Sequence, residues 1–261
     1  MNQHSSSFLD NIPPVTKNLL IINVLFWIAS ITFVQIKEIE INNWLALHYW
    51  QASDFRPFQF ISYMFLHGFF PRQSLQSSFM HLFFNMFGLF VFGRILEYVW
   101  GSKRFLIYYM ITGIGAGIIQ QITWAIDIYP ISKEIAELAA SGLQQGVNIG
   151  DRIIYSADEL FRWKREVYLN RFLVVGASGS VMGLLLAFGM LFPNQPLFIM
   201  FIPVPIKAKY VVIGYAVISL FMGVGNFQFD NIAHFAHLGG MIFGYFLVRK
   251  WKRDANNQMF R

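Results

Sequence analysis

Three short patterns set hydrogen-bonding and ionisable side chains inside strongly apolar surroundings. The first is Phe79-Met-His81-Leu-Phe-Phe-Asn85. A spacing of four puts His81 and Asn85 one turn apart on one helix face, where both can donate hydrogen bonds to a common partner. The second is Gly176-Ala-Ser178-Gly179-Ser180. A serine flanked by glycine can sit in a tight turn with its backbone N–H free, and the unsatisfied amides of a helix N-terminus favour developing negative charge. The third runs Asp230-Asn-Ile-Ala-His234-Phe-Ala-His237-Leu-Gly239-Gly240, then Gly244. His234, His237, Gly240 and Gly244 follow one another at three, three and four residues and so share one helical stripe. Gly240-x-x-x-Gly244 lets that stripe approach a partner helix closely.

Taken alone, the first and third patterns read as packing and the second divides evenly between packing and chemistry, because small and polar residues hold membrane helices together. The His234/His237 pair also raises the question of a metal. Their spacing is three rather than the four of a zinc-binding helix, and no carboxylate is placed as a further ligand, so neither metal nor other cofactor is expected. The three patterns together say more. A hydroxyl nucleophile (Ser178), a base (His237) and two donors (His81, Asn85) on separate segments form the constellation of an acyl-transfer site. Asp230 lies seven residues before His237, roughly 10 Å along a helix, and four before His234. It is too far to complete a triad, so a Ser–His dyad is expected.

The surroundings explain why such residues stand out. The 261 residues are 56% hydrophobic and only 13% charged, with a mean hydropathy of +0.47. Soluble domains carry about a quarter charged residues, which argues against a soluble enzyme, a disordered chain or a nucleic-acid binder. With no cysteine there is no disulfide, thiolate nucleophile or Cys-ligated cluster. The composition is that of a polytopic membrane protein.

Apolar runs long enough to cross a bilayer cover Leu19–Ile36, Phe79–Val99, Phe105–Ile126, Phe172–Phe192, Ala208–Phe227 and Ile232–Val248. Lys17, Lys103 with Arg104, Lys207 with Lys209, and Arg249, Lys250, Lys252 and Arg253 flank them. All four basic groups fall on one side if both termini are cytoplasmic. The expected layout is a cytoplasmic segment 1–18, a six-span domain 19–249 and a basic tail 250–261. Two segments lie outside the spans. Residues 37–78 are rich in interfacial aromatics such as Trp44, Tyr49 and Trp50. Residues 129–171 are polar, with a turn at Gly150-Asp151 and a capping box at Ser156-Ala-Asp-Glu159 that predicts a short amphipathic helix. No signal peptide and no internal repeat are evident.

From about Leu19 to Arg249 the sequence resembles the rhomboid family of intramembrane serine proteases. The resemblance rests on Phe65-Leu66-His67-Gly68, His81-x-x-x-Asn85, Gly93-x-x-x-Glu97, Trp100-Gly-Ser-Lys-Arg104, Gly176-Ala-Ser178-Gly179 and Ala236-His237-Leu-Gly-Gly240, in that order. It implies an all-α, six-helix membrane bundle that cleaves transmembrane segments of other proteins, in a cell membrane. By position Ser178 would be the nucleophile, His237 the base, and Asn85, His81 and the Ser178 N–H the oxyanion donors. Glu97 would be structural. Two departures stand out. Met182 occupies the place of an aromatic that stacks on the catalytic histidine in some members, leaving the imidazole to be held by something else, with His234 a neighbour on the same stripe. The Trp-Arg pair of the first outer loop is replaced by Phe58-Gln59, or by the shifted Phe55-Arg56. Two other classes compete. One is a catalytically silent relative that binds membrane clients; loss of Ser or His usually marks it, and both are present. The other is a small transporter, whose inverted repeats and midplane charges are missing.

Overall fold

A computed structural model describes residues 11–37, 41–68, 74–141, 146–150, 152–198, 204–225 and 233–259. Asp230, Asp151 and the expected span residues 226–227 and 232 lie outside them.

The first helix, α1 (Pro14–Lys37), opens on a proline, whose missing N–H costs nothing in a first turn. The next two amides, Val15 and Thr16, donate to the carboxylate of Glu97 at 3.0 and 2.7 Å. Thr16 Oγ1 and Ser102 Oγ donate to the same carboxylate at 2.8 and 2.6 Å. Glu97 is only 2% exposed, and these donors replace the water it gives up. They also set its charge at the positive end of the helix dipole. One acid thereby pins α1 to the second membrane segment.

The loop after α1 holds α2 (Ile41–Leu45), β1 (Leu47–His48) and α3 (Gln59–Ser62). Its organiser is buried Gln59. The amide oxygen accepts from the N–H of His48 and of Arg56, and its nitrogen donates to the carbonyls of Trp44 and Asp54. Gln121, reaching from a later helix, accepts from Trp50 N and donates to His48 O. The loop turns Trp44 and Trp50 outward, 65% and 54% exposed, as befits a membrane–water interface, whereas Tyr49, expected there too, is buried against Trp124, Ile128 and Leu169.

The second membrane segment is one continuous helical rod of three parts. These are α4 (Leu75–Gly88), a π-helical turn over Leu89–Gly93, and α5 (Arg94–Trp100). Ser74 caps it by accepting from Ser77 N. Gly101, at φ +76°, turns the chain into α6 (Ser102–Ala140). At 39 residues α6 is about 58 Å long, roughly twice a hydrocarbon core. It therefore outruns the expected span and enters the 129–171 segment. There it carries a small lobe of β2 (Val147–Ile149), β3 (Arg152–Ile154) and α7 (Ala157–Trp163), with Ile135, Ile154 and Leu160 as its core. The predicted cap is present, Ser156 Oγ accepting from Glu159 N at 3.2 Å.

The hydropathic run at Phe172 begins as strand. β4 (Leu173–Val174) pairs antiparallel with β1, and α8 (Ser178–Leu191) starts only at the serine. A short hairpin of β5 (Pro196–Leu197) and β6 (Ile206–Lys207) leads to α9 (Ala208–Gly225). The last helix, α10 (His234–Met259), continues through the basic tail, where Lys252 Nζ donates to Met190 O and caps the C-terminal end of α8.

Among the described residues four helical segments are long and apolar enough to cross a membrane: Pro14–Val34, Leu75–Trp100, α6 and α9. In α1 and α9 only 17% of the most apolar window is buried by protein, against 56% in α6, so the former two face lipid. The centre is α6, α8 and α10 packed on one another. Between α8 and α10 the contact is backbone to backbone: a Cβ on Gly240 would collide with the carbonyl of Gly179.

Candidate active site

Ser178 is the first residue of α8, and its position is fixed from three directions. Gly176 N donates to Tyr63 O at 2.9 Å. Ser180 Oγ donates to Tyr109 O on α6 at 2.8 Å, and Tyr63 Oη donates to Gly113 O at 2.6 Å. Gly176 takes φ +131°, a conformation that side-chain-bearing residues avoid, and so swings the extended β4 segment into the helix. The Ser178 amide therefore belongs to the first turn of a helix, where N–H groups lack intrahelical acceptors.

His237 arrives in the first turn of α10. The Gly179–Gly240 approach brings α10 close enough for His237 Nε2 to lie 2.7 Å from Ser178 Oγ. His237 is 8% exposed, enough shielding to strengthen the hydrogen bond while leaving one approach open. On its other side Nδ1 is 2.7 Å from Tyr215 Oη on α9.

His81 completes the near wall. A Cβ at Gly176 would stand 2.9 Å from His81 Nε2 and 3.6 Å from Ser178 Oγ, so both side chains border one small space that glycine leaves open. Farther along, Gly88 packs against Val181. With His81 at Gly176 and Gly88 at Val181, α4 and α8 advance in the same direction, and Asn85 falls near the level of Ser178. Asn85 is buried and donates from Nδ2 to His81 O at 2.9 Å. Its amide group carries a second N–H.

Residues 54–251 match the Rhomboid domain. That is most of the chain, and it contains every residue named in this site. The chain belongs to the rhomboid family. No individual curated protein matches it. The family, with the apolar helices, makes the protein a multi-pass, all-α membrane bundle.

The remaining sequence-derived residues of this rhomboid sit around that site. His234 lies one turn before His237, with ring centroids 6.3 Å apart. Met182, one turn beyond Ser178, packs in an apolar cluster with Leu185, Val212, Met241 and Tyr215. His67 stacks edge-on to His81 at 5.2 Å. It is fully buried, and burial together with His81 lowers its pKa to about 3, so its ring is neutral. Among the described residues no three of His, Asp and Glu gather to share a metal ion.

Tyr215 is the site residue that the motifs do not reveal. Its only trace in the sequence is a hydroxyl in the middle of an apolar run, with Ser219 four residues on. Gln59 was visible only as a departure from the Trp-Arg pair. In the structure this amide makes four hydrogen bonds across the loop, while the Arg56 guanidinium donates only to its near neighbours Ser53 O and Phe55 O.

Proposed function

We propose that this rhomboid is an intramembrane serine endopeptidase that cuts transmembrane segments of other membrane proteins with a Ser178–His237 dyad. The observation that carries the reading is the 2.7 Å contact between Ser178 Oγ and His237 Nε2 at the N-terminus of a helix buried in the bundle. A structural hydrogen bond does not require the hydroxyl to stand at a helix N-terminus beside a gap bordered by a second histidine. Acyl transfer makes use of both, the amide at the helix start and the second imidazole being donors for an oxyanion.

The chemistry runs in two halves. Ser178 Oγ attacks the scissile carbonyl carbon while His237 Nε2 takes its proton. The resulting oxyanion accepts from the Ser178 N–H and from the side chains of Asn85 and His81. When the C–N bond breaks, His237 returns the proton to the leaving amine and an ester remains on Ser178. Water then attacks the ester, losing its proton to His237, and the C–O bond to Ser178 breaks to free the acid and restore the hydroxyl. A helical substrate must unwind first, because its carbonyls are already hydrogen-bonded. Helix-weakening glycine or proline is therefore favoured, and a preference for a small residue before the cut is what the likeness to the family implies. The basic flanks support a plasma-membrane orientation with both termini cytoplasmic and the site toward the outer leaflet.

The test is cleavage of a single-pass reporter in liposomes by wild type and Ser178→Ala, with fluorophosphonate labelling of Ser178 alongside. Cutting and labelling by wild type alone support the reading. A folded wild type that does neither, yet still binds the reporter, is a silent client-binding rhomboid.

A further inference from the structure

We infer that Tyr215 on α9 is a positioning residue for the catalytic imidazole, so that the working unit is a Ser178–His237–Tyr215 chain. The inference rests on the proposed dyad and adds to it the group that selects the imidazole's tautomer. For His237 Nε2 to receive the Ser178 proton, Nε2 must be bare and the ring hydrogen must sit on Nδ1. Nδ1 is 2.7 Å from Tyr215 Oη, so the phenol oxygen is where that hydrogen goes.

A phenol can also donate, and donation to Nδ1 would leave the hydrogen on Nε2 and disable the base. Only the arrangement in which Tyr215 Oη accepts from Nδ1–H leaves Nε2 able to receive the Ser178 proton, and that is the arrangement the dyad needs. The ring is held by the apolar cluster it shares with Met182, Val212 and Met241. Met182, the α8 residue nearest to such a role, has a thioether, a poor partner for a ring N–H. The imidazole is thus fixed on one side by α8 and on the other by α9, a helix largely open to lipid.

Tyr215→Phe keeps the ring and removes only the oxygen, so it tests the role without emptying the cluster. Loss of a hydrogen bond to a group that becomes charged in the transition state lowers kcat about ten- to a hundredfold, with KM within about twofold and the thermal midpoint nearly unchanged. Labelling of Ser178 slows by the same factor. In 15N-histidine spectra, His237 is Nδ1-protonated in wild type and shifts toward the other tautomer in Tyr215→Phe. Full kcat in Tyr215→Phe overturns the inference, as does a loss that appears only with a raised KM or a fallen midpoint. If wild type proves inactive, the protease reading fails, and the tautomer spectra alone still decide whether Tyr215 orients His237.

Discussion

Gly240 lies against the carbonyl oxygen of Gly179, and this backbone contact sets the distance between the helix that carries His237 and the helix that carries Ser178. The methyl of Gly240→Ala would meet backbone rather than a movable side chain. Overpacking of this kind costs about 1–3 kcal/mol, and the helices must separate to relieve it. Gly240→Ala is expected to lose at least tenfold in reporter cleavage and to melt earlier in differential scanning.

The two histidines of α10 should separate cleanly. His237→Ala removes the contact to Ser178 and is expected to abolish cleavage, whereas His234→Ala retains a large fraction of it. The reverse outcome in a reporter assay would move the base to His234.

Asn85→Ala should be graded rather than absolute. An oxyanion donor is worth about 3 kcal/mol, or on the order of a hundredfold in kcat. Ser178→Ala leaves nothing measurable. Single-turnover cleavage with both variants checks the order; equal losses would show that Asn85 does more than donate.

Gln59→Ala tests the loop. Four backbone groups lose their partner, each unsatisfied group costing about 1–3 kcal/mol unless water replaces the amide. The thermal midpoint is expected to fall by several degrees and protease nicking within residues 41–68 to rise. An unchanged midpoint would contradict the loop's dependence on this one side chain.

Glu97 gives the opposite signature from the site residues. Glu97→Ala strips the α1 N-terminus and Thr16 of their acceptor, with a loss of about 2–3 kcal/mol in unfolding free energy. At temperatures where the variant remains folded, Ser178 labelling is expected within about twofold of wild type. A labelling rate that collapses while the fold persists would make Glu97 part of the site.

The polar residues of the site were legible because polarity inside apolar runs is conspicuous. His81, Ser178 and His237 could each be picked out without knowing what lies between them. Where α8 begins could not. Phe172-Leu-Val-Val reads as span by hydropathy, and it becomes strand only because β1, more than a hundred residues earlier, pairs with it. The extra length of α6 was hidden for a related reason. Hydropathy falls at Lys133, Glu134 and Glu137, but it reports the edge of lipid rather than the end of a helix. Lys133 and Glu137 in fact form an i,i+4 ion pair at 3.7 Å on its exposed face. Tyr215 escaped because its meaning depends on which way one helix is rotated, and a lipid-facing helix such as α9 carries too weak a periodic signal to show it.

The brevity of α8 acts as a ruler. Fourteen helical residues cover about 21 Å, and the Lys252 ammonium at the foot of the helix is a charge expected to seek the aqueous boundary. A hydrocarbon layer of about 30 Å leaves its head roughly 9 Å short of the far edge. If the chain is the protease proposed above, peptide bonds brought to that depth would come from about two turns inside a client's membrane boundary rather than from the rim. Lengthening a client's apolar stretch at that end should therefore move the scissile bond along its sequence instead of preventing the cut.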